Sequence, residues 1–325
     1  MNAKKDFKFD KRAKNYDEGQ VRRLCTTYMS EKDMKNHNIK AICYAIAAAG
    51  FYALNAPCSK MLLKYVAPTF MAAFLYLGAG LGVGVMYLFH FKNEQPNERL
   101  IKTDLPYTVG MVLLDILAPI LLMIGLKLGT SANASLLGNF EIVATTVIAL
   151  LIFKEKISGI VWVAIGLITL SSMILSFGGN GSFSFSAGSL FVIGATVCWG
   201  FENNCTRSIS GKSTYQIVTI KGLCSGTGSL IIAFVIGEKF PNIEYIVVVL
   251  LLGFVAYGLS IFTYIRAQKT LGAAKTSAYY AIAPFIGAFL SFALLKESLT
   301  AAYTISLCIM IIGTVLITMD NKKSS

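Results

Sequence analysis

Long apolar stretches alternate with short polar connections along most of the chain. Each stretch holds about 20 residues, the length with which an α-helix crosses the roughly 30 Å hydrocarbon core of a bilayer. A soluble domain of this length would instead show amphipathic stripes or alternating strand and helix patterns. The pattern predicts ten membrane-spanning helices, at residues 40–62, 68–89, 106–127, 132–153, 157–176, 187–209, 214–236, 243–265, 272–294 and 299–319.

The composition agrees with this pattern, and the two chain ends lie outside it. Hydrophobic residues make up 55% of the chain and charged residues 14%, whereas soluble domains average about 25% charged residues. We therefore expect an all-α membrane protein, with residues 39–177 and 187–320 forming two halves of five helices each. Residues 1–38 are too polar to build a core and are expected to be a disordered tail. Residues 321–325 form a second short tail.

The basic residues of the connecting loops predict the orientation in the membrane. With the first residue inside, the inner loops hold ten basic residues and the outer loops five. The inner ten are Lys92, Arg99, Lys102, Lys154, Lys156, Arg207, Lys212, Arg266, Lys269 and Lys275; the outer five are Lys60, Lys64, Lys127, Lys239 and Lys296. Both termini are therefore predicted to be cytoplasmic. The same bias explains the net charge of +12 without a nucleic-acid partner, since no basic stripe carries interleaved aromatic residues.

Two pairs of similar segments indicate an internal duplication. The segment "LGTSANASLLGNFEI…FKEKIS" matches "TLGAAKTSAYYAIAP…LKESLT" at an offset of 142, and "YALNAPCSK" matches "WGFENNCTR" at an offset of 147. Because each half contains an odd number of predicted spans, the two halves must have opposite orientations. Inverted repeats of this kind recur among secondary transporters, with the substrate site near the membrane midplane.

On these residues the chain resembles the drug/metabolite transporter superfamily, EamA family. The motifs that carry the resemblance are "CWGFENN", "ALLIFKEKIS", "FALLKESLT" and "APF" at 283–285. The first half departs from the motifs at Tyr52, which aligns with Trp199, and at Ile142, which aligns with Pro284. The resemblance implies alternating access around a central cavity, and it does not imply a particular substrate.

Four ionisable residues lie deep within the predicted spans: Asp115, Glu141, Glu202 and Lys221. Charges at this depth are costly and usually face a bundle interior or a water-filled cavity. At about 1.5 Å rise per residue, Glu202 and Lys221 lie at the same depth and are predicted to pair. Asp115 and Glu141 lie at similar depth on adjacent spans, so they are expected to be neighbouring acids.

The repeat indicates that these charges serve function more than folding, because each charged residue aligns with an uncharged residue in the other half. Asp115 aligns with Tyr257, Glu141 with Ala283, Glu202 with Asn55, and Lys221 with Tyr76. A structural ion pair that only neutralises itself is the alternative explanation. The predicted substrate-binding residues are Asn55, Tyr76, Asp115, Glu141, Trp199, Glu202, Asn203, Lys221, Tyr257, Tyr279 and Tyr280.

The sequence favours a transporter or exporter of small polar or amphipathic metabolites, with amino acids as the leading class. In this hypothesis the substrate ammonium faces an acid, its carboxylate faces Lys221, and protons exchange at Glu141. Nucleotide sugars, cationic drugs, a membrane-embedded transferase and a non-transporting interaction partner stay open as alternatives. The two histidines and seven cysteines are scattered, so neither a metal nor a cofactor is predicted. We expect an integral protein of a bacterial or archaeal cell membrane, and no oligomeric state is predicted.

Overall fold

The computed structural model describes residues 31–91, 94, 98–153, 158–176, 186–271, 276, 279–297 and 300–323. Every regular element in these ranges is helical, and no strand occurs within them, which agrees with the predicted all-α class. The helices of the first half are α1 (Glu31–Ala53), α2 (Asn55–Leu62), α3 (Pro68–His90), α4 (Leu105–Leu128), α5 (Ser131–Leu137), α6 (Phe140–Phe153) and α7 (Gly159–Ser176). Those of the second half are α8 (Ala187–Ile209), α9 (Thr214–Val235), α10 (Ile243–Gly253), α11 (Ser260–Leu271), α12 (Ala283–Leu295) and α13 (Ala301–Lys323).

The polar tails are shorter than predicted. Helix α1 begins at Glu31 and helix α13 continues to Lys323, so residues 31–38 and 321–323 are helical. Lys, Glu and Met favour helix, and a helix need not end where the membrane does. Residues 1–30 lie outside the described part of the chain.

Six helical segments are long and apolar enough to cross a membrane: Ile39–Leu62, Pro68–His90, Lys102–Leu128, Ser131–Ile152, Thr214–Val235 and Ile243–Leu271. Three shorter apolar helices lie at Gly159–Leu175, Ala283–Leu295 and Ala301–Leu316. Helix α8 is 23 residues long, but its C-terminal half carries Glu202, Asn203, Asn204 and Arg207, which lower its hydropathy. Helix α8 also carries three of the predicted site residues, Trp199, Glu202 and Asn203.

Three of the predicted spans are interrupted near their middle, and a fourth changes its helical form. The first breaks at Leu54, the fourth at residues 138–139, and the ninth at residues 281–282. Pro57 and Pro284 explain two of these breaks, because a proline ring displaces the carbonyl four residues earlier. The eighth span stays helical but widens to a π-helix at Phe254–Leu259, a local form that recurs at functional sites.

The helices pack in pairs that relate the two halves. The most extensive contacts join α3 with α9, α4 with α8, α7 with α13, α1 with α11, and α6 with α8. The pairs can be tested for symmetry by exchanging each predicted span for the span five positions away along the chain. Under this exchange, each pair becomes itself, another of these pairs, or a further observed contact such as that of α1 with α12. This is the pattern that a two-fold relation between the halves would produce.

Glycines allow the central pair, α3 and α9, to approach backbone to backbone. A Cβ atom on Gly222 would lie 2.3 Å from the backbone nitrogen of Gly80, and one on Gly80 would lie 2.5 Å from that of Leu223. Neither position tolerates a side chain unless the helices move apart. Small residues at such crossings let helices gain van der Waals contact in lipid.

Carboxylates from loops fasten the N-termini of the same two helices. The side chain of Glu238 accepts hydrogen bonds from the backbone amides of Thr69 and Phe70, at 3.1 and 3.0 Å, in the first turn of α3. At the opposite end, Glu94 accepts hydrogen bonds from the Tyr87 hydroxyl at 2.8 Å and from the Gln216 amide of α9 at 3.0 Å. Glu238 follows α9 and contacts the beginning of α3, whereas Glu94 follows α3 and contacts the beginning of α9.

Candidate functional site

Lys221 on α9 bridges two acids inside the bundle. Its ammonium nitrogen lies 2.9 Å from Oε1 of Glu202 on α8 and 3.1 Å from Oδ2 of Asp115 on α4. All three side chains are buried. The predicted pair of Glu202 and Lys221 is confirmed, and Asp115 is a third member that the sequence placed elsewhere. We call these three residues the ionic cluster.

Hydroxyl groups complete the ionic cluster. The Tyr76 hydroxyl on α3 donates to Oδ1 of Asp115 at 2.8 Å, and the Thr206 hydroxyl donates to Oε1 of Glu202. Charged groups in a low-dielectric interior need such partners, since an unpaired one costs several kcal/mol. With its three members ionised the cluster carries one net negative charge.

The residues that align with the ionic cluster form a neutral group of their own. Asn55, which aligns with Glu202, donates to the hydroxyl of Tyr257, which aligns with Asp115, at 3.0 Å. Ser59, which aligns with Thr206, donates to Oδ1 of Asn55 at 3.0 Å. Tyr76, which aligns with Lys221, packs its ring 5.0 Å from that of Tyr257. The repeat therefore places a charged group and a neutral group at equivalent positions, and each group draws residues from both halves.

Glu141 lies apart from Lys221, in the first turn of α6 just after the break in the fourth span. Oε1 accepts a hydrogen bond of 2.7 Å from the side-chain amide of Asn203, which also reaches the Thr145 hydroxyl at 3.2 Å. Glu141 forms no ion pair with any residue in the described ranges, and it is only partly buried.

Asp115 and Glu141, which we expected to be neighbouring acids, have different partners. Asp115 contacts Lys221 and Tyr76, whereas Glu141 accepts a hydrogen bond from Asn203. Depth along a helix follows from the rise per residue, but the direction in which a side chain faces depends on helix rotation.

Tyrosines form an aromatic group that reaches the ionic cluster through Tyr76. The Tyr52 ring packs 5.9 Å from that of Tyr257 and 6.0 Å from that of Tyr280. The Tyr257 ring lies 5.0 Å from that of Tyr76, whose hydroxyl donates to Asp115. Tyr279 makes no hydrogen bond or ring contact with the described members of this group. Tyr52 was not among the predicted site residues, although its alignment with Trp199 was a signal for it.

A small cavity of about 30 Å³ lies beside this aromatic group. Tyr52, Asn55 and Trp199 line it, together with Ser135, Thr196 and Pro284. A larger cavity of about 330 Å³ lies between the C-terminal end of α4, helix α5 and the N-terminal end of α8. The two cavities share Ala134 and Val192 as lining residues, so a short constriction separates the larger one from the aromatic group.

The remaining acids near the bundle ends fasten helices. Glu297 accepts hydrogen bonds from the backbone amides of Ser131 and Ala132 at 2.8 and 2.9 Å, in the first turn of α5. Glu155, which aligns with Glu297 at the offset of 142, lies outside the described residues. Within the described ranges, no three His, Cys, Asp or Glu side chains converge as a metal site would require.

Known proteins similar to this chain are transporters. The model of the EamA-like transporter family matches twice, at residues 39–177 and 186–319. An "Uncharacterized transporter" of Methanothermobacter thermautotrophicus (strain ATCC 29096 / DSM 1053 / JCM 10044 / NBRC 100330 / Delta H) is 25% identical over 301 residues, covering 85% of each chain. The "Uncharacterized transporter YyaM" of Bacillus subtilis (strain 168) is 24% identical over 249 residues, covering 72% of this chain and 79% of that one.

A solved crystal structure shares the fold, with a TM-score of 0.64 at 16% identity, covering 87% of this chain and 97% of the other. The double family match fits the duplication found in the sequence, and the apolar helices fit a membrane location. The chain is an integral membrane protein that belongs to the EamA-like transporter family, within the drug/metabolite transporter superfamily.

Proposed function

We propose that this chain is a carrier that moves small polar or amphipathic metabolites across the membrane by alternating access, and that it is not an enzyme. The observation that carries the proposal is the buried ionic cluster, together with Glu141, which forms no ion pair with any described residue. Charges so deep in a membrane bundle are expensive, and they mark substrate or ion pathways by default. The cluster draws its residues from α4 in the first half and from α8 and α9 in the second.

Ten spans arranged as two inverted halves are part of this proposal. The exchange symmetry of the helix pairs supports it, as do the neutral equivalent of the ionic cluster and the double family match. Interrupted helices near the middle of the first, fourth and ninth spans also support it, because carriers with inverted repeats build their substrate sites from discontinuous helices. In this arrangement both termini are cytoplasmic, in a bacterial or archaeal cell membrane.

Amino acids are the leading substrate class, with protons as the exchanged ion. Glu141 is the group at which a proton and a substrate would compete. Its Oε1 accepts a hydrogen bond of 2.7 Å from the side-chain amide of Asn203 on α8. The charge of Lys221 is already shared by Asp115 and Glu202.

Uptake of labelled metabolites into proteoliposomes tests the proposal. A panel of amino acids, organic cations and nucleotide sugars should show saturable uptake of at least one class with an amino group, and that uptake should depend on pH. Glu141→Gln should flatten the pH dependence, whereas Glu244→Gln, an exposed Glu far along the chain, should leave it unchanged. Uptake restricted to anions would overturn the charge argument, and an unchanged pH profile in Glu141→Gln would make Glu141 structural.

A further inference from the structure

Lys221 has no capacity left for a substrate carboxylate. Its ammonium nitrogen lies 2.9 Å from Glu202 and 3.1 Å from Asp115. A third carboxylate approaching it would meet both acids, and like charges at short range in a low-dielectric interior repel strongly. The carboxylate of an amino acid would therefore need a different binding place in this protein.

The larger cavity offers hydrogen-bonding groups without charges. Its volume of about 330 Å³ suits a small metabolite, since ligand pockets typically measure about 300–1,000 Å³. None of the described residues that line it has an ionisable side chain. Its polar side chains are those of Thr130, Asn133, Ser186 and Ser189. A ligand in this cavity would meet hydroxyl and amide groups.

Donors outnumber acceptors among these four side chains. The Thr130 hydroxyl oxygen accepts from the Asn133 backbone amide at 3.2 Å, and the Ser186 hydroxyl oxygen accepts from the Ser189 backbone amide at 3.5 Å. An oxygen used in this way still has its own hydrogen to donate. The side chains of Asn133 and Ser189 form no hydrogen bond with any described residue, although Ser189 is only 5% exposed. The complement of such a set is a group rich in acceptors.

The backbone around the larger cavity also favours a negative group. The N-terminal end of α8 lines the cavity through Gly188, and the N-terminus of a long helix carries a partial positive charge. The opposite wall is the C-terminal end of α4, where the Lys60 ammonium donates to the carbonyls of Leu126 and Gly129 at 2.5 and 2.6 Å. Glu297, which contacts the following turn, is held by backbone amides and is not among the lining residues.

We infer that the larger cavity binds the carboxylate group of the substrate, through Asn133, Ser189 and the first turn of α8. The inference rests on the proposed carrier function and gives one end of its leading substrate class a binding place. Ala134, Leu137 and Val192 add apolar side chains to the cavity wall. Ala134 and Val192 also line the small cavity beside the aromatic group, so the apolar body of the substrate would point in that direction.

Three probes that share one branched alkyl body separate the two charges: 4-methylpentanoate has a carboxylate only, leucine has both charges, and 3-methylbutylamine has an ammonium only. Leu128→Cys, in the full chain without its native cysteines, reports occupancy because Leu128 lines the cavity and is 57% exposed. This change leaves the four polar side chains in place. Protection of the new thiol from an uncharged maleimide measures the affinity for each probe.

The two carboxylates, 4-methylpentanoate and leucine, should protect Leu128→Cys, and 3-methylbutylamine should not. Adding Ser189→Ala should weaken carboxylate binding about tenfold or more, the loss typical of one hydrogen bond to a charged group. Ser189→Thr keeps the hydroxyl and should retain part of the affinity. Ser208→Ala makes the same chemical change as Ser189→Ala at the exposed, opposite end of α8 and should leave the affinity unchanged.

The reaction rates of the unliganded protein give a second measurement. Methanethiosulfonates that carry a sulfonate or an ammonium are compared at Leu128→Cys and at Asn242→Cys, an exposed position at the N-terminal end of α10. The ratio of the anionic to the cationic rate should be higher at Leu128→Cys. An equal ratio at the two positions would mean that any exposed helix N-terminus attracts anions as well, and it would overturn the inference.

Equal protection by 3-methylbutylamine and 4-methylpentanoate, unchanged carboxylate binding in Ser189→Ala, or no protection by any probe would each overturn the inference too. If Ser189→Ala fails to fold, the order of the three probes on Leu128→Cys still decides the charge class. Carboxylate binding that depends on Ser189, combined with no uptake in proteoliposomes, would sink the carrier proposal and leave the binding site intact. Saturable uptake without carboxylate protection of Leu128→Cys would do the reverse.

Discussion

At the scale of single residues, the number of partners each charge has decides its role. Lys221 has two carboxylates, and each of these has a hydroxyl donor as well. Glu141 has one amide and no cation among the described residues. The ionic cluster can therefore hold its charges permanently, whereas Glu141 can exchange its single partner more easily.

Removing the Lys221 ammonium should lower the stability of the fold more than removing either acid of the ionic cluster. Lys221→Met leaves Asp115 and Glu202 buried without a counter-ion, and breaking a buried pair in this way typically costs about 3–5 kcal/mol. Glu202→Gln leaves Lys221 paired with Asp115 and should cost less. Thermal unfolding of the variants in detergent measures the order.

Neutralising all three members should restore part of the loss. The triple change Lys221→Met, Asp115→Asn, Glu202→Gln should unfold at a higher temperature than Lys221→Met alone, because no buried charge is left unpaired. Coupled residues deviate from additivity by about 0.5–3 kcal/mol. Strictly additive effects would contradict the bridging geometry. Glu244→Gln serves as the unpaired, exposed control.

The sequence was sufficient to predict how deep each charged residue lies in the membrane, but not the direction in which its side chain faces. Glu202 and Lys221 could be paired because the rise along a helix is constant. The separate partners of Asp115 and Glu141 were not predicted, because the direction of a side chain depends on helix rotation, and the break at Gly138 and Asn139 has no signal in the hydrophobic pattern. The repeat contained more than was used, since the alignment of Thr206 with Ser59 and of Trp199 with Tyr52 pointed to two further members of the site.

At the scale of helices, glycine positions fix the crossing of α3 and α9. Gly222→Ala places a Cβ atom 2.3 Å from the backbone nitrogen of Gly80, which cannot be relieved by a rotamer change. We expect a marked fall in the unfolding temperature. Gly166→Ala in α7 is the matched control, because a Cβ there meets nothing within 4 Å and alanine favours helix by up to about 1 kcal/mol. An equal effect of both changes would show that the crossing is loose.

The loop between α3 and α4 is fastened to the start of α9 by a pH-sensitive contact. Burial opposes ionisation of Glu94, but hydrogen bonds from Ser213, Tyr87 and Gln216 and the charge of Arg99 outweigh it, so the pKa of Glu94 lies below its usual value of 4.5. A lowered pKa stabilises the folded state above the usual value, and this stabilisation is lost as the pH falls through the folded pKa.

The difference in unfolding temperature between wild type and Glu94→Gln should be largest near neutral pH and should shrink in acid. Unfolding temperatures of both proteins, measured from neutral pH to below the usual pKa of a glutamate, give this difference. Gln216→Ala should reduce it in the same way, since Gln216 also joins the loop through the Leu100 amide at 2.9 Å. A difference that is independent of pH would mean that Glu94 holds the loop without its charge.

Helix boundaries were well predicted wherever a side chain caps them. Ser186 and Ser213 each accept a hydrogen bond from an amide of the first turn of α8 or α9, and both helices begin where the sequence places them. The interruptions were not predicted, because hydropathy averages over a span and does not register a change in backbone geometry inside it. Pro57 and Pro284 were visible signals for two of them.

At the scale of the whole molecule, the inverted arrangement predicts on which side each loop lies. Gly211 and Lys239 are both exposed and flank the two ends of α9. In a background without native cysteines, Gly211→Cys should react with a membrane-impermeant maleimide only from the cytoplasmic side, and Lys239→Cys only from the outer side. Labelling of intact cells and of inverted vesicles makes the comparison. Reaction of both positions from one side would refute the ten-span topology.

The unequal halves have a consequence for the resting protein. In an inverted repeat, the inward-open and outward-open shapes interconvert when the halves exchange roles, so two identical halves would make both shapes equal in energy. Here the charged cluster of Asp115, Glu202 and Lys221 occupies one of two positions that the repeat makes equivalent, and the neutral group of Asn55, Tyr257 and Tyr76 occupies the other, which removes the degeneracy. A difference of about 1.4 kcal/mol already gives a tenfold preference for one shape. Under the proposed carrier function we therefore expect the empty protein to face mainly one side, in a direction set by which of the two positions holds the charge.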